Sequence, residues 1–515
     1  MLIQRRTTLA GLAAAPALLA FGRAFALGNE ALFSFGVASG EPGPDGMVLW
    51  TRLAARPLQA DGGMPHRRVP VRWQVYADET ARRVVQAGEG YAEPEWGHSV
   101  HVEVSGLEPD RHYWYRFFVE GQASAIGRTR TAPAPGAAVD RLRFCFGSCQ
   151  KYENGFYGAW ANAVAEDPDL IFFLGDYIYE AKPSVGTIRV HINPECMDLP
   201  GYRIRYATYR LDPQLQAAHA IAPWLVTWDD HEVANDYADL LDQDNGDPAQ
   251  FARRRAAAYH AYYEFMPLRR ASRPDRAAMR LYRQLDWGRL ARFQILDDRQ
   301  YRSARACHPL GLLTAHRRGP SIVAPCPELG DPSRTMLGKA QEQWLDASLA
   351  GSPATWNVLA QQTQMTPYPR RDPEAPSSPR RLQTVDTWDG YDATRDRILD
   401  AWQRHRTSNP LVIGGDIHAF VASELQHQGR PIAPSFIGGS ITTFAGDTLL
   451  KANTAENPLY RFADNTVRGY GRVDLTAKAA DVTFRAIVDP NDPMTSAYDL
   501  ARFHVGAGTP TLSMT

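Results

Sequence analysis

Six short apolar runs, none in strict alternation, constrain this chain more than any other feature. They are Leu142–Phe146, Leu170–Leu174, Trp224–Trp228, Phe293–Leu296, Trp356–Ala360 and Leu411–Ile413. A strand with one face in water alternates polar and apolar residues, whereas a compact apolar run suits a strand buried on both faces. Helical stretches at Phe251–Phe265, Leu337–Leu349 and Ala393–Arg404 lie between the runs. Buried strands separated by helices predict an α/β domain over residues 140–490.

Residues 32–131 have a different texture. Val71–Tyr76, Ser99–Val104 and His112–Phe117 alternate with period two and are separated by Gly, Pro and Asp turns. Short alternating strands at that spacing predict a small all-β sandwich over 30–131. The phrase Gly106-Leu107-Glu108-Pro109-Asp110 followed by Tyr113-Trp114-Tyr115 is similar to fibronectin III domains. A Pro/Gly-rich linker is expected over 132–139, a surface loop over 367–381, and a C-terminal tail over 491–515.

The 515 residues exceed one compact unit at roughly 100–200 residues per domain. A composition 44% hydrophobic and 22% charged excludes a mostly disordered chain. With 56 Lys and Arg against 57 Asp and Glu, the chain lacks the basic surplus of a nucleic-acid-coating protein. Residues 1–26 carry a charged start, a short apolar middle and an Ala24-Phe25-Ala26 end, the pattern of an export signal. The pair Arg5-Arg6 resembles a twin-arginine signal, which implies the twin-arginine export machinery as a partner and a periplasmic or extracellular location. No later apolar run reaches 18 residues, so no membrane anchor is expected in the mature chain. Of the five cysteines, Cys145 reads as core. Cys307 and Cys326 read either as a loop-closing disulfide or as two free thiols.

Polar residues cluster where the apolar runs end. The endings are Ser148-Cys149-Gln150, Gly175-Asp176-Tyr177-Ile178-Tyr179-Glu180, Asp229-Asp230-His231-Glu232 with Asn235, and Gly415-Asp416-Ile417-His418. In open α/β sheets ligands bind outside the carboxyl ends of the strands, so these residues can share one pocket. Cys149 as thiolate and Tyr179 as phenolate are anionic ligands, which favours Fe(III), with Zn2+ as the alternative. Asp176, Asp230, Asn235 and Asp416 offer only oxygen and suit a hard second ion, Ca2+ or Mg2+. The competing reading is a set of turn aspartates and helix caps, a small buried cysteine and a core tyrosine.

Phe-Gly-Ser-Cys-Gln, Phe-Phe-Leu-Gly-Asp-Tyr-Ile-Tyr-Glu, Trp-Asp-Asp-His-Glu-Val and Gly-Asp-Ile-His closely resemble the PhoD-type alkaline phosphatases, a branch of the calcineurin-like metallophosphoesterases. Leu296–Arg302, Arg334–Gly338 and Trp388–Tyr391 look like further segments of that family. The resemblance implies a four-layer αββα sandwich for the second domain, and Fe(III) and Ca2+ as cofactors. It implies iron ligands at Cys149, Asp176, Tyr179, Asp416 and His418, with Asp176 and Asp416 bridging towards calcium. It places either Asn235 or Asp230 on the calcium; Ala234-Asn235-Asp236 stands where Glu-Asn-Asn is expected.

The reaction it implies is hydrolysis of small-molecule phosphate esters, with metals neutralising the phosphoryl oxygens. His231 and Asp230 are the expected catalytic residues; His231 either protonates the leaving alkoxide or orients a ligand. Arg299 either clamps phosphate or pairs with Asp297 and Asp298. The alternatives are a phosphodiesterase or phospholipase D-like enzyme, and a non-catalytic secreted binding protein whose working part is the β-sandwich.

Overall fold

Each of the six apolar runs forms a strand: Leu142–Gly147, Leu170–Leu174, Pro223–Thr227, Ala291–Ile295, Trp356–Ala360 and Pro410–Gly414. The structure, a computed structural model, describes residues 31–243, 246–307, 321–372, 375, 377 and 381–515. The export signal expected over 1–26 lies outside the described residues. The first three strands pair in parallel within a ten-stranded sheet. The last three, continued by Arg430–Gly438, pair in parallel within a seven-stranded sheet.

Alternate residues of these strands serve one core between the sheets and two outer ones. Phe144, Phe172, Phe293, Val358, Ile413 and Phe436 meet in one cluster fed by both sheets. Ile171, Phe173 and Trp224 point the other way and pack with residues of the helices Gly158–Ala165, Leu199–Arg210, Pro213–Ile221 and Pro248–Phe265. On the far side of the second sheet, Leu359 and Val412 pack with Leu345, Leu349, Ile398 and Trp402 of the helices Gly338–Ala350 and Asp392–Arg404. The helix starts carry local signals. Asp212 and Asp247 each accept backbone N–H bonds ahead of a first-turn proline, which satisfies donors the helix itself leaves open.

The N-terminal strands are less separate than the sequence suggests. Val37–Gly43, Gly46–Arg52 and Ser99–Val104 extend the ten-stranded sheet, because Ser39 and Gly40 pair with Pro223 and Trp224. The remaining strands of that segment form a five-stranded sheet. In the expected linker, Ala132 is fully buried in the inter-sheet core and donates its N–H to Gly43. Residues 31–515 accordingly form one compact unit.

The expected tail over 491–515 is corrected by the structure. Ala497–Gly506 is a strand of the ten-stranded sheet, and its alternating Ala501, Phe503 and Val505 are buried in the inter-sheet core. The Asp-Pro turns before it mask that period-two signal. Cys307 and Cys326 are joined as a disulfide, and Cys145 is a buried core residue.

His101, on one of the N-terminal strands, is buried, stacks on Tyr263 and places Nδ1 3.0 Å from the Leu268 carbonyl. Burial pushes its pKa down to about 3. The folded chain therefore holds it neutral while the unfolded chain protonates near pH 6.5. Its contribution to stability is complete above pH 6.5 and is lost as pH falls towards 3. Between pH 7 and pH 4 that loss is about 3 kcal/mol for this one side chain. In urea melts, His101→Gln is expected to lose less stability than wild type over that interval. Parallel losses would show that His101 does not carry it.

Candidate metal centre

Four strand ends converge. Cys149 follows Leu142–Gly147, Asp176 follows Leu170–Leu174, Asp229 to His231 follow Pro223–Thr227, and Asp416 and His418 follow Pro410–Gly414. The backbone at this rim is unusual. Cys149, Asp176, Asp416 and His418 all adopt left-handed conformations, with φ of 58°, 60°, 66° and 53°. Each such residue costs on the order of 1 kcal/mol or more, and such strain gathers at functional sites.

The surrounding chain holds that backbone. Cys149 N–H donates to the Gly175 carbonyl at 3.0 Å and Gln150 N–H to the Asp176 carbonyl at 3.1 Å. The buried Glu232 carboxylate accepts N–H bonds from Asp176, Tyr177 and Asp229, tying two strand ends together. Gly175 is required: it has φ of 106°, and a Cβ there would lie 2.4 Å from the Asp229 Cβ.

Three overlapping groups of ligand atoms result. One atom each from Cys149, Asp176 and His418 lie within 4.8 Å of one another, as do those of Asp176, Asp230 and His231, and those of Asp229, Asp230 and Asp416. Tyr179 belongs with the first group. Its hydroxyl donates to Asp176 Oδ2 at 2.8 Å, lies 3.2 Å from His418 Nε2, and is 2.9 Å from the Thr443 hydroxyl. His418 Nδ1 is 3.0 Å from the Phe444 carbonyl, an arrangement that leaves Nε2 its lone pair. His231 Nδ1 is 2.7 Å from Glu180 Oε2, and its ring packs 4.1 Å from that of Tyr179.

The charges at this rim are unbalanced. Asp229, Asp230 and Asp416 converge with Asp386 on one fully buried guanidinium, Arg299, and Asp176 stands beside them without an arginine among the described residues. Burial, reinforced by Asp176, pushes the Cys149 thiol well up. Burial likewise raises Asp229 far above the carboxylate range and Asp416 to about 8. Asp176 goes the other way: His231 and His418 overcome the burial penalty and bring it down to about 2. Asp176 Oδ1 and Asp229 Oδ2 are buried with no hydrogen-bond partner among the described residues. Buried polar atoms of a folded protein are almost always satisfied, so these orphans and the surplus of acids call for cations. A thiol, a phenol, an imidazole and several carboxylates are a donor set that fits metal ions.

Among the residues singled out from sequence, Cys149, Asp176, Tyr179, Asp230, His231, Asp416 and His418 come together. Asn235 lies alongside: it donates N–H to Glu180 and Nδ2 to Gln243. Sequence reasoning named Asp229, Glu180 and Glu232 at the strand ends without giving them a role, and passed over Thr443. The Asp229-Asp230 pair was a signal for the first; the others are supports whose partners are distant in sequence. Arg299 is an ion-pair residue, and its partners differ from those expected. It reaches Asp229 and, at 2.8 Å, Asp386, while Asp297 accepts only its backbone N–H.

The profile of the PhoD-like phosphatases matches residues 144–484, and that of the PhoD-like phosphatase N-terminal domain matches residues 22–133. The chain belongs to the PhoD-like phosphatase family. Alkaline phosphatase D of Bacillus subtilis (strain 168) is 42% identical over 475 residues, covering 90% of this chain and 78% of that protein. The solved structure of PhoD is 40% identical, with a TM-score of 0.87 over 95% of this chain and 92% of that one. The chain is a metal-dependent phosphoric ester hydrolase of the alkaline phosphatase type. Its reading as a binding protein with an inert α/β half is overturned by that membership. No helix of the described residues is long and apolar enough to cross a membrane.

Proposed function

We propose that this is an exported alkaline phosphatase whose rim holds one Fe(III) beside Ca2+ on a four-layer αββα scaffold. The observation that carries the reading is the junction of a thiol, a phenol and an imidazole around Asp176, next to a group made only of carboxylates. Cys149, Asp176, Tyr179, Asp416 and His418 would hold the iron, whose high charge suits two anionic donors. Asp176 and Asp416 would face calcium. Asp230, which belongs to two of the three ligand groups, would be a calcium ligand; Asn235 beside them donates Nδ2 to Gln243, and its Oδ1 is the atom that would ligate. When bound, the ions neutralise the phosphoryl oxygens of the ester and support in-line displacement.

The chain's own residues do the rest. Glu232 fixes the spacing of two of the strand ends through its three N–H bonds. Glu180 holds the His231 ring by Nδ1, and its charge keeps His231 protonated well above the ordinary histidine range despite burial. His231 is thereby suited to donate a proton to the leaving alkoxide. The Arg5-Arg6 signal supports export of a chain already folded around its metals.

Two measurements on the purified holoenzyme test this. Elemental analysis is expected to find iron and calcium. Initial rates are expected to favour p-nitrophenyl phosphate over bis(p-nitrophenyl) phosphate. Zinc in place of iron would remove the ligand assignment, and a preference for the diester would make the enzyme a phosphodiesterase.

A further inference from the structure

A cavity of about 300 Å³ opens beside the metal centre. Asp416 and His418 line one side of it, and Tyr368, Arg370, Thr384 and Thr387 are among the residues around the rest. Arg370 stands in the stretch expected as a surface loop. Instead, Arg370 and Arg371 form a short strand paired with Arg381 and Leu382, and the Arg370 side chain is only 14% exposed.

Arg370 is the one arginine or lysine among the described residues that line the cavity. Its neighbours use little of what it can donate. Nη2 is 3.2 Å from Asp447 Oδ1, Nη1 is 3.4 Å from the Thr384 hydroxyl, and Nε is buried without a partner among the described residues. A guanidinium has five N–H donors and no acceptor, so its spare capacity fits only an acceptor. Tyr368 steadies it: its ring centre is 5.7 Å from Cζ, and its hydroxyl donates to Asp447 at 2.6 Å. The cavity's other acids are already engaged. Asp236 pairs with Arg305, Asp386 with Arg299 and Arg302, and Asp416 belongs to the metal centre.

We propose that Arg370 is a specificity-determining residue that binds a second anionic group, a phosphate or carboxylate, on the alcohol part of the substrate. The reacting phosphate sits at the metal centre, so this inference rests on that reading of the rim. A planar guanidinium meets an oxyanion with two parallel N–H bonds, which a neutral alcohol cannot reproduce. A cavity of this size is at the small end of ligand sites, so the two anions are joined by a few carbon atoms.

The test compares initial rates on propyl phosphate and 1,3-propanediol bisphosphate with the metal-loaded enzyme. The wild type is expected to favour the bisphosphate in kcat/KM by roughly tenfold to a hundredfold, the range of a charge-assisted hydrogen bond. Arg370→Met brings that ratio to about one, and Arg370→Lys retains part of it. Asp447→Asn removes the competing carboxylate and raises the ratio. Opposite shifts from the two halves of one ion pair are not what a purely structural role gives. Competitive inhibition by propane-1,3-diyl bisphosphonate, which is not hydrolysed, is expected to weaken in Arg370→Met and strengthen in Asp447→Asn. A wild-type ratio near one, or the same ratio in wild type and Arg370→Met, overturns the proposal. If neither ester reacts while the bisphosphonate still binds through Arg370, the metal-centre reading fails and the anion site stands.

Discussion

Cys149→Ser is expected to lose the proposed iron and hydrolysis together. Serine is nearly the size of cysteine and leaves the N–H bond from residue 149 to Gly175 in place, so the rim's backbone survives. What disappears is an ionisable donor. A thiol that burial and Asp176 hold protonated still gives up its proton to a trivalent cation, whereas a serine hydroxyl is a far weaker acid. Loss of a residue that merely supports a ligand costs about 10–100-fold in metal affinity, and loss of the ligand itself should cost more. Iron per chain and turnover of p-nitrophenyl phosphate, measured on the same preparation, are therefore expected to fall by more than about a hundredfold. Cys145→Ser is the control. That thiol packs in the hydrophobic cluster on the helix-covered face of the same sheet, away from the rim, and its loss should leave iron per folded chain intact. A Cys149→Ser enzyme that keeps its iron and its rate would take the thiol out of the site.

The rim was legible because its chemistry is local to strand ends. Gly175-Asp176, Gly415-Asp416-Ile417-His418 and Ser148-Cys149 each announce a backbone turn followed by a donor, and the apolar runs carry two of those turns on neighbouring strands of the ten-stranded sheet and the third on the seven-stranded sheet. The supports were not legible. Glu232 holds Asp176 and Tyr177 from 56 and 55 residues away, and Thr443 approaches Tyr179 across 264 residues. Such partners follow from sheet order, which no local pattern encodes. The same limit explains the edges of the sheets. Ala497–Gly506 does alternate, but its place beside Ala479–Ile487 depends on an antiparallel return that its flanking turns conceal. The parallel pairing of Ser39 and Gly40 with Pro223 and Trp224, which joins the N-terminal strands to the catalytic sheet, has no signature in either segment.

Arg299→Met is expected to destabilise the chain by about 3–5 kcal/mol, because it strands a buried charge. Arg299 is fully buried and reaches Asp229 through Nε and Asp386 through Nη1; Nη2 lies 3.7 Å from Asp230 and 3.9 Å from Asp416. Asp386 keeps Arg302 at 2.6 Å when Arg299 is gone. Asp229 has no second arginine pair among the described residues, and its Oδ2 is already without a partner. Methionine fills the space but offers no donor, so Asp229 must stay protonated or draw in a cation. Lysine keeps the charge, but its single nitrogen cannot reproduce the fork that reaches Asp229 through Nε and Asp386 through Nη1, so Arg299→Lys should fall between the two. The pH dependence has a definite sign. Burial already raises the Asp229 pKa above its unfolded value, and losing Arg299 raises it further. A carboxyl that binds its proton more tightly in the folded state favours folding at low pH, and the advantage drains away as pH rises through the folded pKa. After removal of metal by a chelator, the gap between wild type and Arg299→Met in urea melts should therefore widen once pH rises past the raised wild-type Asp229 pKa. Restoring iron and calcium should narrow it, because cations at Asp229 and its neighbours take over the neutralising role. A gap independent of both pH and metal would mean that Arg299 acts by packing alone and that the carboxylates at the rim do not share its charge.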